Sequence, residues 1–91
     1  MPAANRPEYM EFVARIRCVR KSKGVTQEEL SLRLGKPQSF VSKVETCERR
    51  LDIIEAAHWC LALGVTLDQV LPAQLRKAVV KCLAQLERSD R

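Results

Sequence analysis

Residues 26–45 read TQEELSLRLGKPQSFVSKVE, and this stretch decides the fold. Thr26, followed three positions later by a glutamate, has the spacing of a capping box, so a helix is expected to begin here. Gly35 breaks that helix, and Pro37 favours the first turn of another, which is expected over residues 38–46. Two short helices joined by a tight turn that contains glycine form a helix-turn-helix.

Apolar residues recur at helical spacing on both sides of this motif. Asp52 and Glu55 repeat the capping-box spacing before an apolar run that contains Trp59, which is expected to be a core residue. No strand-like alternation persists, so the sequence predicts an all-α chain. The further predicted helices cover residues 8–23, 52–63, 67–71 and 73–88.

The helix that follows Pro37 has a polar outward face, with Val44 and either Phe40 or Val41 directed inward. Gln and Lys on the first turns of a helix can hydrogen-bond base edges in the major groove, where Gln prefers adenine and Lys prefers guanine. Taken alone, the same face also fits a merely solvated helix surface. The predicted base contacts are Gln38, Ser39, Ser42 and Lys43.

The positive charge of the chain is unevenly distributed. The formal net charge is +5. Residues 1–50 carry eleven Lys or Arg and six Asp or Glu, and residues 51–91 carry five of each, so the whole excess lies in the first half. This asymmetry indicates a half that faces a polyanion, although the total alone also fits an ordinary surface. The predicted phosphate contacts are Gln27, Lys36, Arg49 and Arg50.

These segments closely resemble those of Cro/cI-type (XRE) helix-turn-helix repressors. The resemblance rests on RIRCVRKSKGVTQEEL at 15–30, LG at 34–35, QSFVSKVE at 38–45 and ER at 48–49. Residues 61–71, LALGVTLDQVL, are similar to the closing helices of the family. The resemblance implies a five-helix lambda-repressor-like DNA-binding domain, to which the helix after Pro72 is an addition.

The resemblance also implies roles for individual residues. Gln27 would contact a backbone phosphate, while Gln38, Ser39 and Lys43 would contact base edges. Arg20 and Glu45 would form a structural ion pair that orients the reading helix, the predicted helix over residues 38–46 whose side chains would contact the bases.

Two positions depart from the family pattern. Many members end the reading helix with Asn-Gly, where this chain has Thr46 and Cys47. Glycine suits that position because the closing residue often takes a positive φ. Leu61 stands where the family often has a polar residue, so an outward Leu61 needs a cover from the C-terminal helix or from a second subunit.

The predicted organisation is a loose arm over residues 1–7, a DNA-binding domain over 8–71 and a C-terminal helix over 72–91. Apolar residues of that helix form a heptad-like stripe, which indicates a contact with a second subunit or with a partner, or packing back on the same domain. The predicted contact residues are Leu61, Leu75, Val79, Cys82 and Leu86.

The sequence therefore predicts a transcriptional regulator, a repressor, that binds a palindromic operator in double-stranded DNA as a homodimer. The alternative is a protein-binding module, such as an antitoxin or antiactivator, whose C-terminal helix holds a partner. The N-terminus resembles no secretory signal and no run is long enough to cross a bilayer, so a cytoplasmic, nucleoid-associated protein without membrane contact is expected.

Catalytic and cofactor functions are not expected. The chain has one histidine, His58, and it lacks paired carboxylates in a pocket-forming context and a glycine-rich phosphate loop. The four cysteines form no CxxC pair, so neither a metal site nor a cofactor is predicted. Cys47 is the one cysteine expected near solvent and basic side chains. We interpret it as a plain surface thiol, and the alternative is a redox-sensitive thiol.

Overall fold

The computed structural model describes residues 6–77, and this part of the chain is built from helices without a strand. The predicted all-α class is thereby confirmed. Residues 73–77 are helical as well and begin the added sixth helix. The five complete helices are α1 (Pro7–Ser22), α2 (Gln27–Leu34), α3 (Gln38–Glu45), α4 (Ile53–Leu63) and α5 (Leu67–Val70).

The helix boundaries follow local capping chemistry. The Asp52 side chain accepts from the Glu55 N–H at 2.7 Å, and the Glu55 side chain accepts from the Asp52 N–H at 3.0 Å, so this capping box is complete. The box predicted at Thr26 is only half formed. Thr26 Oγ1 accepts from the Glu29 N–H at 3.0 Å, but the Glu29 carboxylate instead accepts from Arg33 Nη2 at 2.7 Å, one turn further along α2.

Trp59 on α4 lies at the centre of the core and is fully buried. Of the two inward candidates on α3, Val41 is fully buried and Phe40 is half-buried, with its ring 6.0 Å from the Trp59 ring. Since α2 packs against both α3 and α4, the core fixes α3 on one side and leaves its other side outward. The buried apolar residues are Phe12, Val13, Ile16, Val25, Leu30, Val41, Val44, Leu51, Ala56, Trp59, Cys60, Leu63 and Val70.

Candidate nucleic-acid interface

The turn between α2 and α3 sets the angle between the two helices. Gly35 ends α2 with φ 67° and ψ 33°, a left-handed conformation that glycine adopts without steric cost. The Lys36 N–H then donates to the Ser31 carbonyl at 3.0 Å, which closes the helix end. Pro37 caps α3 in an extended conformation. This three-residue connection produces the helix-turn-helix that the sequence predicts.

The outward face of α3 carries the four predicted base-contacting side chains. Gln38, Ser39 and Lys43 are exposed and Ser42 is half-buried. The opposite face, with Val41 and Val44, is fully buried. An amide, an ammonium group and two small hydroxyls therefore project from one side of a helix that is fixed on its other side. These are side chains that can donate to and accept from base edges in a major groove.

Arg20 and Glu45 hold the C-terminal end of α3 against α1. Arg20 Nε and Nη2 donate to the two carboxylate oxygens of Glu45 at 2.7 and 3.0 Å, and Arg20 Nη1 donates to the Val25 carbonyl at 2.7 Å. Both residues are buried, at 6% and 7% exposure. A planar, two-pronged pair of this kind restricts the orientation of α3 as well as its distance from α1.

Two further side chains reach the Glu45 carboxylate. Gln27 Nε2 donates to Glu45 Oε1 at 2.9 Å, and Arg17 Nε lies 4.0 Å from the same oxygen. Gln27, predicted to contact a phosphate, thus also links the start of α2 to the end of α3. The sequence did not identify Arg17 as a neighbour of Glu45. The one signal for it is its position three residues before Arg20, which places the two arginines on the same side of α1.

The remaining predicted phosphate contacts lie at the N-terminal side of α3 and in the loop after it. Lys36 and Arg50 are exposed, with the Lys36 ammonium 5.7 Å from the centre of the Phe40 ring and the Arg50 guanidinium 6.0 Å from that of Tyr9. Arg49 is exposed as well, but its guanidinium binds the Glu55 carboxylate at 3.0 and 3.2 Å. The Arg49 guanidinium is therefore already bound to a carboxylate, whereas Lys36 and Arg50 each lie near an aromatic ring.

Tyr9 anchors the loop after α3 to α1. Its hydroxyl accepts from the Leu51 N–H at 3.0 Å and donates to the Arg49 carbonyl at 3.4 Å. Burial is the main cause that raises the pKa of the Tyr9 hydroxyl, opposed by the hydrogen bond from Leu51. The neutral, hydrogen-bonding form of Tyr9 therefore holds the loop over the whole neutral range.

The loop begins with a residue in an uncommon backbone conformation. Cys47 has φ 63°, and among the described residues every other positive φ belongs to a glycine. The Glu48 N–H donates to the Lys43 carbonyl at 2.8 Å, so the chain turns sharply off the end of α3. The family position that favours glycine thus keeps its left-handed geometry here with a cysteine.

The cysteines differ from expectation in one respect. Cys18 is exposed while Cys47 is half-buried, so the prediction that Cys47 alone lies near solvent is wrong. Cys18 lies on the side of α1 turned away from the core, which the apolar spacing of that helix permits. Residues 6–77 contain no group of three His, Cys, Asp or Glu side chains suited to a metal ion. No helix in this range is long and apolar enough to cross a membrane.

The predicted dimer or partner contacts are only partly within the described residues. Leu61 is 75% exposed, so nothing in residues 6–77 covers it. Leu75 is half-buried and lines a groove with Leu67 and Leu71. Val79, Cys82 and Leu86 lie outside the described residues.

The fold and this face define a DNA-binding domain of the helix-turn-helix class. The family model described as "Helix-turn-helix" matches residues 16–70, well over half of the chain. The chain belongs to this family. The comparison with curated proteins found no match.

Several solved structures are similar to the chain. An XRE-family like protein from Pseudomonas syringae pv. tomato is 39% identical, with a TM-score of 0.69 over 79% of this chain and 85% of that one. The restriction-modification controller protein C.AhdI from Aeromonas hydrophila is 27% identical, with a TM-score of 0.64 over 68% and 94%. The clp gene regulator ClgR from C. glutamicum is 26% identical, with a TM-score of 0.66 over 82% and 95%.

Proposed function

We propose that the protein is a transcriptional repressor that binds a palindromic operator as a homodimer, with α3 in the major groove. The observation that carries this proposal is the polar outward face of α3, held in one orientation by the buried Arg20–Glu45 pair. Base contacts are assigned to Gln38, Ser39 and Lys43 and, from its half-buried position, to Ser42. The similar proteins described as a controller and as a gene regulator support the regulatory role.

Phosphate contacts complete the proposed interface. Lys36 and Arg50 are exposed cations on either side of α3 along the chain, and Gln27 lies at the start of α2, where free N–H groups favour an anion. These contacts fix the register of α3 on the duplex without reading its sequence. Such a repressor acts in the cytoplasm, on the nucleoid.

The homodimer is proposed to form through the exposed apolar surface of α4 and the helix that follows Pro72. Ile54 and Leu61 lie seven residues apart on α4 and are 63% and 75% exposed. That spacing places them on the same side of the helix, and two copies of such a side can cover each other in a two-fold arrangement. A dimer reads two half-sites, which raises affinity and specificity together.

Selection from a pool of random duplexes tests the DNA-binding proposal without a known operator. The wild-type protein is expected to enrich one palindromic sequence. The Gln38→Ala/Lys43→Ala variant should bind that duplex at least about tenfold more weakly, because each good base contact contributes about 1–3 kcal/mol. The control is Lys21→Ala/Gln69→Ala, which makes the same chemical changes at exposed residues outside both the α3 face and the proposed dimer surface. Absence of enrichment, or equal losses in the two variants, would reject the proposal.

Sedimentation equilibrium tests the dimer. The wild-type protein is expected to be a dimer and Leu61→Lys a monomer, while Leu32→Lys, at a leucine on α2 that is also 75% exposed, should remain a dimer. A wild-type monomer would reject the homodimer. It would favour the protein-binding alternative, for which the exposure of Leu61 is the supporting observation.

A further inference from the structure

The Arg49 side chain joins three parts of the domain. Its Nη1 and Nη2 groups donate to the two carboxylate oxygens of Glu55 on α4, at 3.2 and 3.0 Å. Nη1 also donates to the Arg50 carbonyl in the loop, at 2.9 Å. The guanidinium carbon lies 4.6 Å from the centre of the Phe40 ring on α3, within the range of a cation–π contact. One side chain thus contacts α3, the loop and α4.

Phe40 connects this cluster to the DNA-facing side of α3. It is the third residue of the helix and directly follows Gln38 and Ser39. The Phe40 ring lies between the Trp59 ring, 6.0 Å away, and the Arg49 guanidinium. Successive residues of a helix project at fixed angles to one another. Holding the Phe40 side chain in place therefore restricts the rotation of α3 about its axis, and with it the directions in which Gln38 and Ser39 project.

We propose that Arg49 is a positioning residue, which together with Glu55 holds the N-terminal end of α3 in its DNA-reading orientation, and that Arg49 does not bind a phosphate. This inference rests on the proposed DNA-binding function. It replaces the role that the sequence predicts for Arg49, while Arg50, exposed in the same loop, keeps its predicted phosphate contact.

Two observations support a fixed Arg49 over one that is free to bind DNA. Three of its hydrogen bonds are already directed to the Glu55 carboxylate and the Arg50 carbonyl, and the carboxylate compensates its charge. The bond from Arg49, followed by the Asp52 N–H, holds the pKa of the Glu55 carboxyl below its usual value. Glu55 is itself fixed by its capping box, so Arg49 binds a partner that cannot follow it toward a phosphate.

Salt titrations distinguish positioning from phosphate binding. The variants are Arg49→Lys, Arg49→Gln and Glu55→Gln, measured with the duplex selected by the wild-type protein and with a scrambled duplex, from about 50 to 200 mM salt. Glu55→Gln retains an oxygen for the capping box, removes the charge and replaces one acceptor of the Arg49 hydrogen bonds by an NH2 donor. The matched control is Arg15→Gln, which breaks a surface pair with Glu11 of nearly the same exposure, 40% for Arg15 against 42% for Arg49.

Positioning predicts that the three variants weaken binding to the selected duplex by about three- to fivefold, because the exposed pair contributes less than about 1 kcal/mol to the orientation of α3. Binding to the scrambled duplex and the salt slope should stay unchanged. Arg15→Gln should change none of these quantities. Phosphate binding predicts that Arg49→Gln weakens binding to both duplexes and lowers the salt slope by about 0.9. It also predicts that Glu55→Gln binds both duplexes at least as well as wild type. That pattern would overturn the proposal.

Hydrogen exchange without DNA gives an independent readout. Arg49→Gln and Glu55→Gln are expected to speed exchange of the α3 amides by about three- to fivefold, because losing an exposed pair lowers the free energy of local opening by less than about 1 kcal/mol. Arg15→Gln should leave them unchanged, and Arg49→Lys serves if Arg49→Gln does not fold. Unchanged α3 exchange in both Arg49 and Glu55 variants would reject the positioning role. If the wild-type protein selects no sequence, the proposed function fails instead, and the exchange data still decide whether Arg49 anchors α3.

Discussion

Both ends of α3 are tied to the domain by an arginine and a glutamate, but the two pairs lie in different surroundings. The Arg20–Glu45 pair at the C-terminal end is buried, with side chains 8% and 2% exposed. The Arg49–Glu55 pair, which reaches the N-terminal end through Phe40, is 42% and 23% exposed. The hydrogen-bond geometry is similar, since each guanidinium donates to both carboxylate oxygens.

The comparison shows that burial decides how much an Arg–Glu pair contributes to the stability of the fold. A buried pair whose partner is removed leaves an uncompensated charge in the interior, which strongly destabilises the fold. An exposed pair contributes little to stability because water and salt screen it. The buried pair therefore belongs to the framework of the domain, whereas the exposed pair can fix an orientation without fixing the fold.

The largest expected effect breaks the buried pair. Arg20→Met leaves the Glu45 carboxylate buried without its main partner, so the free energy of unfolding should fall by about 3–5 kcal/mol. Urea denaturation measures this change. Arg15→Met, which breaks the exposed pair with Glu11, should cost no more than about 1 kcal/mol. Equal losses in the two variants would contradict the distinction between buried and exposed pairs.

The second prediction compares the ends of α2 and α3. Gly35 takes its left-handed conformation freely, whereas Cys47 adopts nearly the same φ with a side chain. Cys47→Gly should raise the free energy of unfolding by about 1 kcal/mol, the cost of a left-handed non-glycine residue. Cys47→Ala keeps the Cβ atom and controls for the loss of the thiol. If the glycine variant is no more stable than the alanine variant, the strain at this position is absent.

The third prediction concerns the exposed pair. Arg49→Gln should lower the free energy of unfolding by less than about 1 kcal/mol, and this difference should shrink as salt is raised. The loss in Arg20→Met should be nearly independent of salt, because a buried pair is screened much less. Thermal melts in low and high salt measure both. A salt-independent loss in Arg49→Gln would place the exposed pair in the same class as the buried one.

The smallest effect is the pH dependence of the exposed pair. The pKa of Glu55 is lower in the folded chain, chiefly through the bond from Arg49, so the stabilisation is present above the unfolded-state pKa. It is lost as the pH falls through the folded-state pKa. The stability difference between wild type and Arg49→Gln should therefore be constant near neutral pH and vanish in acid. A difference that grows toward acid would contradict the sign of the shift.

Local signals predicted the helices well. The capping pair of Asp52 and Glu55, the break at Gly35 and the apolar spacing around Trp59 each act within one helix or one turn, and each appears in the structure. The polar face of α3 was predictable for the same reason, because the placement of Gln38 and Lys43 follows from helical periodicity.

Contacts between distant residues were less predictable. Two side chains with equal capping signals behaved differently, since Glu55 closes its box and Glu29 instead binds Arg33. The contacts of Arg49 depend on which neighbours the packed helices supply. A single sequence without a structure contains no local signal for the contact between Arg49 and Phe40, which lie nine residues apart across the end of α3.

The central claim, that α3 reads base edges, is tested most directly with modified bases in the selected duplex. Replacing guanine by 7-deazaguanine removes the N7 acceptor that a lysine contacts in the major groove. At one position in each half-site, this change should weaken wild-type binding by about tenfold and leave Lys43→Ala binding unchanged. If every modified position weakens the wild-type protein and Lys43→Ala equally, Lys43 does not contact a guanine and the proposed orientation of α3 is wrong.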